Sequence, residues 1–234
     1  MLSRRGLLLG GIFRPSPAVY MGIPFHVLRN GRSRRRYLHI HGDESTAREV
    51  LREHMKTHRG IAHLVDSNER TVPAGGGKLD PNRMFSREGA QKNLRLLNPA
   101  WSDAQIVPLL DRLDRERGRL LGALLPPSGG LLVALHNNAR GYSVNSELEI
   151  SDEKALNDAA NPHEFFLVTD PADFRVLAAS PFNALLQKRG PNEDDGSLSR
   201  LAAKRGVRYL NLECALGKAA RQKEMLNWME SRLA

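Results

Sequence analysis

The sequence predicts an α/β sandwich. From residue 36 onward, short apolar runs alternate with stretches of helical periodicity, and several runs are apolar throughout, as strands buried on both faces must be. Sheets of this kind gather ligands beyond the carboxyl ends of their strands, and two histidines, His41 and His136, fall at such ends. At 234 residues and 41 % hydrophobic content, the chain is long enough to bury a real core. It shows no repeat of fixed period and no break in composition that would mark a second folded domain.

The elements follow in order. "RYLHI" (36–40) reads as a strand. "ESTAREVLREHMKTH" (44–58) reads as a helix with Ala47, Val50, Leu51, His54 and Met55 along one side. "GIAHLVDS" (60–67) is the next strand, and the Gly- and Pro-rich "VPAGGGKLDPNR" (72–83) reads as a loop. Residues 102–125 form a long helical stretch with Ser102 as its cap. "GGLLVALHNN" (129–138) is an apolar run that reaches His136, and "EFFLVT" (164–169) is another strand, with a short helix from "DPADFRVLA" after it. "GVRYLNLECA" (206–215) is the last strand, and residues 218–234 close the chain as a helix with Met225, Leu226, Met229 and Leu233 inward.

The net charge of +9 is unevenly placed. Residues 1–36 hold eight arginines and no acid, so the remainder is nearly neutral. This argues against a nucleic-acid-binding body, which would carry its basic residues on one folded face. Arg4 and Arg5 precede eight uncharged residues, Gly6 to Phe13, too few to span a bilayer, which needs about 20. "SRRGLLL" resembles a twin-arginine export signal, and "SPA" (16–18) offers a cleavage site. The expected division is therefore a basic segment over 1–36, with a signal over about 1–18 and a linker, then one catalytic domain over 37–234. The expected location is periplasmic or exported, or cytoplasmic if that segment is an ordinary basic start. Cys214 is the sole cysteine, so no intrachain disulfide can form.

Candidate chemistry starts at His41 and Glu44, a His-x-x-Glu pair separated by a turn that Gly42 permits. Zinc in hydrolases takes three such ligands and keeps one position for water. His136, at a neighbouring strand end, completes the set. Glu213 lies within "YLNLECALG", where a buried acid is costly without a partner, and is the candidate general base. Each feature alone has a plainer reading: a structural histidine, a solvent-facing glutamate. Cys214 reads as an inert apolar residue rather than a nucleophile. His39 shares "HIH" with His41 and suits a supporting role.

Taken together, the order HGDE, DPNRMFS, a strand ending in His and a strand holding Glu resembles the zinc carboxypeptidase superfamily, in its succinylglutamate desuccinylase and aspartoacylase-like branch. The resemblance runs from about residue 37 to the end but rests on those four short segments. It implies a three-layer α/β/α sandwich with a mixed, mostly parallel central sheet. It further implies one zinc ion on His41, Glu44 and His136, a substrate carboxylate on Asn82 and Arg83, and Glu213 as base and then acid. Arg83 offers the planar fork that suits a carboxylate; a surface salt bridge is its other reading. Arg70 is either an oxyanion donor or an ordinary surface arginine. Asp194 and Asp195 either read an amino group or form a solvated turn, and Asn137, Asn138 and Tyr142 can add polar contacts.

The chain departs from that branch in two ways: it stops one helix after Glu213, and "GGGK" stands where the branch carries an arginine before its Asn-Arg pair. The expected activity is zinc-dependent cleavage of a peptide or N-acyl amino acid with a free carboxylate, a cell-wall peptide or another periplasmic peptide if the protein is exported. No nucleic-acid partner and no stable membrane span are expected. The alternative is a non-catalytic carboxylate- or peptide-binding module on the same fold.

Overall fold

Strands that are apolar on both faces need cover on both, and this requirement sets the layering. The computed structural model describes residues 15–138, 141–189 and 193–233. Along the chain come β1 (Ser16–Tyr20), β2 (Ile23–Asn30), β3 (Arg36–His39), α1 (Ser45–Thr57), β4 (Gly60–Val65), β5 (Val72–Ala74), β6 (Gly77–Leu79), α2 (Arg87–Leu97) and α3 (Asp103–Leu124). There follow β7 (Leu132–Asn138), β8 (Glu153–Ala155), β9 (Phe165–Val168), α4 (Pro171–Leu177), β10 (Asn183–Leu186), α5 (Leu198–Arg205), β11 (Tyr209–Ala215) and α6 (Ala219–Arg232).

Nine strands make one mixed sheet in the order β1-β2-β4-β3-β7-β11-β9-β10-β8, while β5 and β6 pair as a separate hairpin. The run β4-β3-β7-β11 is parallel throughout, as is β9–β10. The edges and the β11–β9 pair are antiparallel. Alternation sends Val133, Leu135, Leu210 and Leu212 to one face, against α1, α4 and α6. Leu132, Ala134 and Tyr209 go to the other, against α2, α3 and α5. The result is the expected three-layer α/β/α sandwich. The inward sets of α1 and α6 are those their 3.6-residue periodicity marks.

Three readings are corrected. The stretch 19–36 is not a linker: β1 and β2 form one edge of the sheet, and β2 pairs with β4 from Phe25↔Val65 to Asn30↔Gly60. Ile23, Phe25 and Val27 alternate onto the core, where each is buried. Arg29, Arg32, Arg34, Arg35 and Arg36 therefore belong to the folded body, and its charge is more basic than nearly neutral. The signal-like residues 1–14 lie outside the described residues; the SPA site falls inside β1. Finally, β8, β10, α2 and α5 extend the element order, and Ser197, just after the turn of Asp194 and Asp195, caps α5 through Arg200 N at 3.4 Å. Among the described residues, no helix is long and apolar enough to cross a membrane.

Candidate metal centre

Parallel register brings the site together. In β7–β11 the pairing sets Glu213 level with His136, and β3 lies on the other side of β7. His136 and Glu213 share the face of Ala134 and Asn211, because side chains two apart on a strand point the same way. His41 follows the end of β3 and Glu44 the turn after it. Gly42 makes that turn possible through space rather than through φ: a Cβ there would sit 2.4 Å from the Ser67 carbonyl oxygen and 2.7 Å from that of Glu69. His39 sits beneath, with Nε2 donating to the Glu44 carbonyl at 3.0 Å, so it supports the turn.

Glu44 stands at the N-cap of α1, yet its side chain makes no capping bond. Instead Oε1 accepts from His41 Nδ1 at 2.7 Å and Oε2 from His136 Nδ1 at 3.0 Å. The cap is supplied by Asn137 of β7, whose Oδ1 accepts from Ala47 N at 2.7 Å. Asn137 also donates to Gln222 Oε1 at 3.1 Å, so it ties β7 to α1 and α6 rather than reaching for a ligand. The same histidine and glutamate donors, one atom from each of His41, Glu44 and His136, lie within 4.8 Å of one another, and all three residues are buried.

Electrostatics follows from this arrangement. His41 lies between two carboxylates, with Nε2 donating to Asp80 Oδ1 at 2.9 Å. Burial works against its charge, but the bonds to Asp80 and Glu44 outweigh it and raise its pKa to about 9. Glu44 is opposed by burial too, yet His136 and His41 hold it well below the usual carboxylate range. Both imidazoles direct Nδ1 at one carboxylate. A cation replacing those protons would find two nitrogens and a carboxylate facing one point, while His41 kept its outward bond to Asp80. That is the ligand set zinc takes, with the carboxylate–histidine support common at such sites. The residues fit a divalent metal.

Glu213 faces the same space. Burial raises its pKa, with the charge of Glu44 adding to this; His136 and the hydrogen bond from Asn211 Nδ2 at 3.0 Å oppose it. Its raised value results from a low-dielectric setting beside another acid.

These groups open on a pocket of about 350 Å³ that holds every residue proposed for the site: His41, Glu44, Arg70, Asn82, Arg83, His136 and Glu213. Arg70 reaches inward from the β4–β5 loop, with Nη1 donating to Glu44 Oε1 at 3.3 Å. Asn82 Oδ1 accepts from Leu198 N at 3.1 Å and thereby seats the start of α5. Arg83 Nη1 donates to Asp195 Oδ2 at 3.0 Å. Cys214 is buried on the opposite face and burial pushes its thiol up to about 12, which suits the inert reading.

Several residues at or behind the site escape sequence reasoning. Asp80 opens the DPNR segment, but what makes it a site residue is its bond to His41, 39 positions away. Asn211 was readable as the residue two before Glu213 on one strand. Arg200 left no such signal; it reaches the pocket from α5, with Nη1 donating to Gln187 Oε1 at 2.7 Å. Three buried atoms along the pocket, Asn138 Oδ1, Arg200 Nε and Asn211 Oδ1, have no hydrogen-bond partner among the described residues. Unsatisfied buried polar atoms are costly and mark places where a ligand or water is expected.

No protein-family model and no curated protein matches the chain. Among solved structures it is similar to a succinylglutamate desuccinylase/aspartoacylase from Rhodobacter sphaeroides, at 18 % identity and a TM-score of 0.45, over 90 % of this chain and 59 % of that one. It is similar also to a protein assigned as a metallopeptidase from Shewanella denitrificans, at 12 % identity and a TM-score of 0.46, over 94 % of this chain and 82 % of that one. A second such protein, from Shewanella baltica, gives 12 % identity and a TM-score of 0.44, over 94 % and 87 %. The chain thus spans 59 % of the length of the first of these structures. At these scores the functional reading is carried by the side chains themselves.

Proposed function

We propose that this chain is a zinc-dependent amide hydrolase acting on a peptide or N-acyl amino acid that bears a free carboxylate. The observation that carries the reading is the convergence of two imidazole nitrogens on the two oxygens of Glu44, at 2.7 and 3.0 Å, beside a second buried acid in the same pocket. A divalent cation held by His41, Glu44 and His136 supplies Lewis acidity and a water of lowered pKa. Glu213 takes a proton from the attacking water and returns it to the leaving amine; a carboxyl with a raised pKa is suited to both transfers. Arg70, 44 % exposed and within reach of Glu44, provides the donor for the oxygen on which charge develops. Arg83 and Asn82 anchor the substrate's carboxylate on the pocket wall.

The test has two parts. Protein purified without chelator should contain zinc at near one equivalent, and the His136→Ala variant should not. A screen of peptides and N-acyl amino acids on the zinc-loaded protein should then find turnover that Glu213→Gln lowers by on the order of 10²-fold or more with zinc retained. Absence of metal from the native protein, or full activity in Glu213→Gln, overturns the assignment.

A further inference from the structure

The guanidinium proposed to anchor a carboxylate is not free: an acid from a different part of the chain stands on it. Arg83 Nη1 meets Asp195 Oδ2 at 3.0 Å, and both residues line the pocket. Their side chains are 32 % and 41 % exposed, so the pair opens to the pocket rather than being sealed away.

Asp195 is placed by its backbone. Its other oxygen accepts from Ser197 N at 2.9 Å, and Gly196 O accepts from Phe85 N at 3.0 Å. Gly196, at φ +78°, leaves room only for a hydrogen: a Cβ there would lie 2.3 Å from the Arg83 carbonyl oxygen. The segment carrying Asp195 is thus seated against the segment carrying Arg83, and the acid is a fixed part of the wall.

The chemistry of that wall selects among carboxylates. A ligand with a carboxylate alone must part Arg83 from Asp195 and then sit beside an unpaired negative charge. A ligand with an ammonium group on the carbon next to its carboxylate presents both charges at close to the same spacing and satisfies both residues at once. We infer that Arg83 and Asp195 together read a free α-amino-carboxylate terminus, with Asp195 as the specificity-determining residue. This rests on the hydrolase reading for its consequence. If the α-amine is free and held by Asp195, and the residue anchored by Arg83 is the one that leaves as the amine, the cleaved amide nitrogen is another amine of that residue. The substrate class is then an acylated diamino acid, joined through its distal amine, with its own α-amine and carboxylate exposed.

Calorimetric titration of the zinc-loaded protein with L-lysine and with 6-aminohexanoate tests the pair directly, since the two differ in the α-amine. Lysine should bind at least about 10-fold tighter, the scale of one charge-assisted hydrogen bond. Asp195→Asn keeps the oxygen that accepts from Ser197, so the loop remains seated. It should abolish the difference, weakening lysine and leaving or improving 6-aminohexanoate. Equal binding of the two by the native protein, no binding of either, or an Asp195→Asn variant that shifts both alike overturns the inference. The two readings fail separately. Turnover of N-acyl amino acids lacking a free amine, with kcat/KM equal to that for Nε-acetyl-lysine, removes the amine selectivity and leaves the hydrolase. Selective lysine binding without turnover of any amide does the reverse.

Discussion

Two buried histidine–glutamate groups lie at the two ends of α1, and they differ in a way that separates a site from a brace. At the far end, His54 on the last turn meets Glu230 at 3.4 Å; Glu230 also takes Tyr37 Oη at 2.7 Å and Arg35 Nε at 3.1 Å. His54 stacks flat on His58, with ring centroids 3.8 Å apart. One carboxylate there collects donors of three kinds, and α6 is bound to β3 and α1. At the near end, two imidazoles aim the same atom at one carboxylate, and a second acid faces them across a pocket. Burial of a histidine beside a glutamate is common to both. Convergence of lone-pair donors on one point, open to a cavity, belongs only to the second.

The comparison can be broken at three places. The largest effect is expected at Asp80→Asn, which weakens the acceptor behind His41 while leaving all three candidate ligands. Zinc affinity, measured by competition with a chromophoric chelator, should fall about 10- to 100-fold. Glu230→Gln should leave that affinity unchanged. An equal loss in both variants would erase the distinction.

Next, Glu230→Gln should cost about 1–3 kcal/mol in urea unfolding, because it replaces a charged acceptor that serves three nearly buried donors. A stability equal to that of the native protein would mean that the brace is idle.

The smallest effect is on acid stability. Burial pushes the Glu230 carboxyl up, but His54, Tyr37 and Arg35 outweigh it and hold it below the usual range. The unfolded chain therefore takes up that proton first. The stability this contributes is complete above the unfolded value of about 4.3 and is lost as pH falls through the folded one. His54 is lowered chiefly by burial, against its bond to Glu230, so its loss has the same sign and begins below about 6.5. Unfolding midpoints taken between neutral and acid pH should decline, and His54→Gln should reduce the portion that starts below about 6.5, the rest of which comes from His39 and His63, each lowered to about 4 chiefly by burial. A profile unaltered by that change would contradict the assignment.

Much of the fold was legible because it follows local periods. The faces of α1 and α6, the apolar strands β7, β9 and β11, and the placement of His136 and Glu213 near strand ends all follow from spacing in the chain. β2 was legible in principle, since Ile23, Phe25 and Val27 alternate; the run of arginines beside them drew the stretch towards a linker reading. α5 was hidden because its cap, Ser197, lies in an acidic, Gly-containing segment that resembles a plain turn. Asp80 and Arg200 were not legible as site residues, because what makes them so is a neighbour 39 positions away in one case and a shared cavity in the other.

By itself, the sequence determined which residues could alternate onto a sheet, which helix faces would turn inward, and which side chains had the chemistry to hold a cation. Only the tertiary structure decided that His136 stands level with Glu213 in adjacent parallel strands, that Glu44 gives up its capping role to face two imidazoles, and that Asp195 meets Arg83. The reason is physical. Periodicity is set by the backbone over a few residues, whereas register and loop seating are set by contacts between segments far apart in the chain, which no short stretch contains.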